Sequence, residues 1–334
     1  MKPVRTWPAA VALFVLAPVC GELLSGSTPI RAFVNPFTFL YLSGLYGSGA
    51  LLVREIVRRR GLGWRNVLLL GAAYGVLEEG LVVTSWTNPY WPDAVSLGGY
   101  GRLLDINWVW ALHLTLFHAV VSIAAPIVLA EAAFPRIPQE RWLGDRAMRA
   151  VAIWLALVSL IGLVGFGFLA FRDRGYDHPP ASYLVALLIA VALVRLGLRR
   201  RSGPMVSDVL PPSLWQLRGF AFATTVAVFA LAWIGPHVIP VALLVVVALG
   251  AVAAYALQRM SRWSARSGWG AEHRLALASG ALGFLIAIAP FVEFGLHSPE
   301  KDPAGQTLVA LSALAGLWLL ARRAPRPAPL AVPA

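Results

Sequence analysis

The sequence predicts an all-α polytopic membrane protein, a bundle of about ten transmembrane helices with both termini cytoplasmic. Three observations lead there. Hydrophobic residues make up 58% of the 334-residue chain and charged residues only 13%, against roughly a quarter charged in soluble domains, and the mean hydropathy is +0.70. Apolar stretches long enough to cross a bilayer, about 20 residues each, recur along the whole chain. The basic residues then alternate between successive connections as the positive-inside rule requires.

Taken in order, the expected spans are roughly 7 to 25, 36 to 53, 66 to 86, 107 to 131, 150 to 171, 181 to 198, 217 to 235, 238 to 257, 275 to 295 and 305 to 321. The first follows a basic start like that of a secretory signal, and Cys20 invites a lipoprotein reading. "APV" before that cysteine lacks the small residue a lipoprotein needs directly ahead of it, so an uncleaved first helix is expected. As the only cysteine, Cys20 has no partner for an intramolecular disulfide.

The formal charge of +12 raises the question of nucleic acid. Its distribution answers it. With the N-terminus cytoplasmic, every Lys and Arg except Arg31, Arg102, Arg172, Arg174 and Lys301 falls in an inner segment. The excess is a topology signal and a contact for anionic lipid on the cytoplasmic side. Without a soluble fold beside those arginines, no nucleic acid is expected as partner. The location expected is the cell inner (plasma) membrane, multipass.

The chain divides by chemistry into a polar-site-bearing four-helix half, residues 1–134, an apolar six-helix half, residues 148–321, and a disordered cytoplasmic tail, residues 322–334. Of the acids in or at the ends of spans, Glu22, Glu55, Glu78 and Glu79 fall in the first three helices, with Glu131 and Glu293 later. Arg54, Glu55 and Glu131 sit near inner helix ends, where long side chains reach the headgroups or pair locally. His237 falls in an outer turn, His178, His273 and His297 in loops. The outer loop "TNPYWPDAVSLGGYGRLLDIN" is rich in the aromatics that favour the membrane interface, so it either anchors there or covers the mouth of the bundle.

A carboxylate in the hydrocarbon costs several kcal/mol, so an intramembrane acid points to a partner or a cavity. "YGVLEEGLVVT" places two side by side, Glu78 and Glu79, and adjacent helical residues diverge by about 100°; one is expected to face a partner helix and the other the bundle centre. The next span, "INWVWALHLTLFHAVVSIAAP", holds His113 and His118, about 140° apart on a regular helix. Only a π-bulge or a kink brings both to one face. Ser122 follows His118 by one turn. At about 1.5 Å per residue, the glutamates lie between the two histidines in depth, in the outer half of the membrane. Glu22 and Glu293 approach the same level. The candidate site is therefore Glu78, Glu79, His113 and His118, supported by Ser122, Glu22 and Asn107, with no metal assigned and the cofactor and substrate unknown.

Several chemistries suit such a cluster. Glu and His activate a water for hydrolysis, the carboxylate as general base; one Glu and two His ligate zinc; or a Glu and a neutral His relay protons in a coupled transporter. A purely structural role, the acids hydrogen-bonded to hydroxyls of the second helix, explains the composition as well, as does an accessory subunit of a membrane complex.

A double Glu in one helix followed about 35 residues later by His in the next resembles the glutamic intramembrane proteases of the CAAX prenyl endopeptidase and bacteriocin-processing family, with motifs EExxxR, FxxxH and HxxxN or HxxxD. Glu78 and Glu79 match the double Glu, while Val83, Val109 and Ser122 stand at the Arg, Phe and Asn positions. The resemblance spans residues 66 to 125 and implies that Glu78 or Glu79 activates water with His113, while His118 and Ser122 stabilise an oxyanion. "CGELLSGSTP", "LYGSGALLVRE", "YGVLEEG" and "NWVWALHLTLFHA" together also look like an uncharacterised group of bacterial multipass proteins.

Overall fold

A computed structural model describes residues 5–137, 139–200, 207–295 and 302–323, the side chains of Val95 and Asp173 excepted. Eleven helices follow in chain order: α1 (Trp7–Leu23), α2 (Ile30–Phe33), α3 (Pro36–Arg60), α4 (64–82), α5 (Trp108–Ala133), α6 (Asp145–Leu169), α7 (Pro180–Leu198), α8 (Leu214–Val238), α9 (Ala242–Trp263), α10 (Ala271–Gly295) and α11 (Gln306–Arg323). All but the short α2 coincide with the ten apolar stretches. Seven are both long enough and apolar enough to cross a membrane. The other three fall short for reasons legible in their residues. α1 is shorter, α4 carries Arg65 with Glu78 and Glu79, and α11 ends in Arg322 and Arg323.

Local signals set the helix ends. Asn35 and Asn107 accept hydrogen bonds from the first turns of α3 and α5, as N-caps do. Gly61 closes α3 in the left-handed conformation with φ +61°, the helix-ending geometry that glycine adopts without a Cβ clash. Between α4 and α5 the chain makes a two-residue hairpin, β1 (Arg102–Leu103) against β2 (Ile106–Asn107), with Leu104 and Asp105 both at positive φ, the twist that tight hairpins require. Asn107 N–H bonds to the Trp86 carbonyl, tying this loop to the end of α4.

α5 is the axis of the bundle: 78% of its most apolar window is buried, against 11% for α9. α4 packs on α5 and α7, α1 on α3 and α5, and α10 on α5, α8 and α11. α6 to α9 keep apolar surface outward, including Leu157, Leu160, Leu188, Leu243 and Val247. Lipid contacts are the solvent these faces suit.

The local pairing expected of Arg54 and Glu55 is present and the headgroup alternative is not: both are buried, as is Glu131. Arg54 pairs with Glu55 at 2.8 Å and with Glu131 at 3.2 Å, and Arg58 pairs with Glu131 at 2.6 Å. The Arg54 guanidinium also lies 3.3 Å over the Trp142 ring, while Glu55 accepts the Trp142 N–H at 3.0 Å. A loop after α5 thus covers the charges that hydropathy alone placed at the membrane surface. His178 lies in a loop, as expected, and His273 does not. His178 is buried among Thr87, Tyr176 and Ser182, and His273 lies in the first turn of α10, stacked on Trp269. Glu293 is engaged away from the other acids, accepting the Gly305 and Thr307 N–H groups at 2.7 Å and so capping α11. Arg322 and Arg323 continue α11 rather than opening a tail; His297 and residues 324–334 lie outside the described residues.

Candidate functional site

Four π-helical turns build the site. They are Val19–Leu23 in α1, Ser43–Gly47 in α3, Leu77–Val82 in α4 and His118–Ala124 in α5. Such turns insert one residue into the i→i+4 ladder and frequently mark functional positions. Here they carry Glu22, Tyr46, Glu78 with Glu79, and His118 with Ser122. The wider turn of α4 removes the divergence expected of a regular helix: Glu78 and Glu79 converge on one imidazole. His118 Nε2 lies 2.9 Å from Glu79 Oε1, and Nδ1 lies 3.2 Å from Glu78 Oε2 and 3.0 Å from Ser122 Oγ. All four residues are buried.

The close approach that makes this contact has a cause in "GAAYG". A Cβ on Gly75 would stand 2.9 Å from His118 Cβ, and one on Gly71 would stand 3.1 Å from the Ala119 backbone. Two glycines one turn apart let α4 lie directly on α5.

Around the ring, hydroxyl and indole groups fix the acids. Ser85 donates to Glu79 Oε2 and receives the Trp110 indole N–H at 3.1 Å. The Tyr46 hydroxyl donates to Glu22, whose other oxygen accepts from Thr28 at 2.5 Å. Tyr46 and Tyr74 rings flank the imidazole at 5.9 and 6.2 Å. Glu78 Oε2, though near Nδ1, accepts no hydrogen bond, and Thr84 Oγ1 is likewise buried and unbonded. Thr84 adopts φ +57°, a strained conformation for a β-branched residue; it ends α4 sharply and turns Ser85 back to Glu79.

His113 stands apart. Its Nε2 accepts the Trp233 indole N–H at 3.3 Å, its ring meets Phe229 edge-on at 4.8 Å, and its Nδ1 is buried without a hydrogen bond. Phe117 touches the rings of both His118 and Phe229. Asn107 caps α5 and holds the Tyr100 carbonyl without joining the cluster. Sequence reasoning does not single out Tyr46, Tyr74, Ser85 or Trp110. Ser85 lies only six residues past Glu79, in "TSW", and is the one within its reach.

One metal-ligand set occurs among the described residues: Glu78, Glu79 and His118 each offer one ligand atom, all within 4.8 Å of one another.

Residues 11–327 match a family described as an uncharacterized membrane protein family. The chain belongs to this family. A curated relative, an uncharacterized protein of Archaeoglobus fulgidus, is 26% identical over 181 residues, 52% of this chain and 52% of the relative, so the chain matches about half that protein's length. No solved structure matches. For this membrane protein family the site geometry, rather than a relative's activity, has to carry the functional argument.

Proposed function

We propose that this protein is a membrane-embedded hydrolase in which Glu79 and His118 activate a water. The observation that carries the reading is the imidazole held between two carboxylates, at 2.9 and 3.2 Å, inside a bundle where both acids are buried. General-base catalysis asks for acid and base within hydrogen-bond reach. In the proposed step a carboxylate, Glu79 or Glu78, takes a proton from water as the water oxygen bonds to the substrate carbonyl carbon. His118 gives a proton to the leaving atom as its bond to that carbon breaks, and the carboxylate's proton then restores the imidazole. Ser85 and Trp110 keep the Glu79 carboxylate aimed.

Comparative analysis of membrane peptides and lipids in cells making the wild type or Glu79→Gln tests this. A product present only with the wild type supports hydrolysis; identical profiles at equal protein abundance overturn it. A site open toward the outer side belongs to the same proposal. Cys20 is buried, so Ser96→Cys, at an exposed position of the loop before β1, reports the topology. Labelling by an impermeant maleimide added outside whole cells places that loop outside, and protection of the introduced thiol until the cells are opened reverses the orientation.

A second reading, a proton-coupled transporter, draws on one observation. Proton-exchanging groups run in series from Ser85 through Glu79 and His118 to Ser122 and Glu78. For a transporter, Glu79→Gln uncouples flux from the pH gradient instead of abolishing turnover.

A further inference from the structure

We infer that Glu78, Glu79 and His118 bind one divalent transition-metal cation. Their ligand atoms lie within 4.8 Å of one another, and the closest pair, Glu79 Oε1 and His118 Nε2, is 2.9 Å apart. Nitrogen and oxygen donors each about 2.0 to 2.2 Å from one ion stand about 3 Å apart, so the Glu79–His118 pair needs little motion to admit it. The donor chemistry, one imidazole and two carboxylates, suits zinc, iron, cobalt or manganese, and differs from the all-oxygen shells of calcium and magnesium.

Two independent observations point to a cation. The first is charge. The buried Glu78 and Glu79 and the half-buried Glu22 share this region with a single imidazole, and among the described residues no arginine or lysine pairs with any of them. At the inner end of the bundle, by contrast, Arg54, Arg58 and Arg59 balance Glu55 and Glu131. Buried carboxylates need a counter-charge, and a divalent ion supplies it. The second is orientation. Metal-binding imidazoles and carboxylates are held by a hydrogen bond on the far side from the ion. Ser122 Oγ meets His118 Nδ1 while Nε2 faces Glu79, and Ser85 donates to Glu79 Oε2 while Oε1 faces the ring. Glu78 Oε2, buried and accepting no hydrogen bond, lies 3.2 Å from Nδ1, and its side chain turns toward Nε2 to serve as the third donor. Three protein ligands leave a position for water, as catalytic zinc sites do. The inference concerns the same side chains as the hydrolase reading and stands without it; a cation on Glu79 and His118 takes those groups out of proton transfer, so the proton-transfer step above describes the metal-free site.

The test uses the full chain purified in detergent, stripped with chelator and titrated with cobalt(II). The wild type is expected to take up about one cobalt per chain with visible ligand-field bands. Glu79→Gln and His118→Asn are expected to lose it, while Ser122→Ala weakens binding about tenfold or more. Wild type that takes up no cobalt overturns the proposal, as does uptake that all three variants retain. Should a variant fail to fold, pulsed electron paramagnetic resonance of copper(II) on the wild type decides: coupling to one imidazole nitrogen supports the site, and a spectrum without nitrogen coupling overturns it. Hydrolysis that depends on Glu79 in a protein that binds no metal sinks this inference and leaves the hydrolase reading standing.

Discussion

His118 on α5 and Glu79 on α4 meet at 2.9 Å across a helix interface that two glycines make possible, and the remaining side chains of the site are arranged around that contact. Removing the imidazole leaves two buried carboxylates without the group that stands between them.

His118→Ala is therefore expected to destabilise the protein by about 3 to 5 kcal/mol, the cost of stranding one partner of a buried pair. Glu79→Gln/His118→Gln, in which two neutral amides replace the pair, is expected to recover part of that loss. Unfolding titrations in detergent measure both. A single variant within about 0.5 kcal/mol of wild type, the range of ordinary surface changes, rules out a contribution from the pair.

The same reasoning applies to the Arg54 cluster, with a different outcome for a conservative change. Arg54 stacks on Trp142 and pairs with Glu55 and Glu131 at once, which a planar guanidinium does and an ammonium does not. Arg54→Lys is expected to fall well short of wild-type stability, close to Arg54→Leu. Faster hydrogen exchange at Trp142 and Leu143, whose N–H groups bond to Glu55, is the accompanying signature; wild-type exchange in Arg54→Lys contradicts the stacking argument.

Gly75→Ala adds one methyl group where a Cβ would meet His118 Cβ at 2.9 Å. Overpacking of this kind costs about 1 to 3 kcal/mol, and here it also separates α4 from α5. Cobalt uptake and any Glu79-dependent turnover are expected to fall in this variant by more than its stability does. Gly63→Ala, at a position where a Cβ would meet nothing within 4 Å, is the control and is expected to change neither.

Outside the membrane-spanning helices, burial pushes His178 down from its ordinary 6.5 to about 4. Its folded form prefers the neutral ring, so the associated stability is complete above about pH 6.5 and is lost as pH falls through about 4. Exchange rates of residues 176–183 are expected to rise over that window in the wild type and to show no such step in His178→Gln. A flat wild-type profile contradicts the burial of this ring.

The helices were legible because membrane spans announce themselves by length and hydropathy, and the glutamates and His118 because charge in hydrocarbon demands a partner. Their convergence was not. A regular helix sends Glu78 and Glu79 in different directions, and the π turn that brings them together leaves no mark in composition. Nor does hydropathy distinguish an arginine in the headgroups from Arg54, which a loop after α5 encloses. His113 illustrates the converse: depth along a helix says nothing of azimuth, and its ring packs on Phe229 and meets the Trp233 indole.

Each π turn at the site is equivalent to one residue added to an otherwise regular helix. Deleting a single residue from α4 or α5 within such a turn lets the regular ladder re-form with the flanking segments close to their present azimuth, so the change falls on the turn itself: the direction of Glu78, Glu79 or His118 shifts by up to about 100° while hydropathy and span length stay nearly unchanged. Four helices must therefore keep the same one-residue offset for these side chains to meet. Helices in this fold can be exchanged for others of equal hydropathy at little cost to insertion, but their residue count up to the site is fixed, so tolerance to substitution and tolerance to deletion part company there.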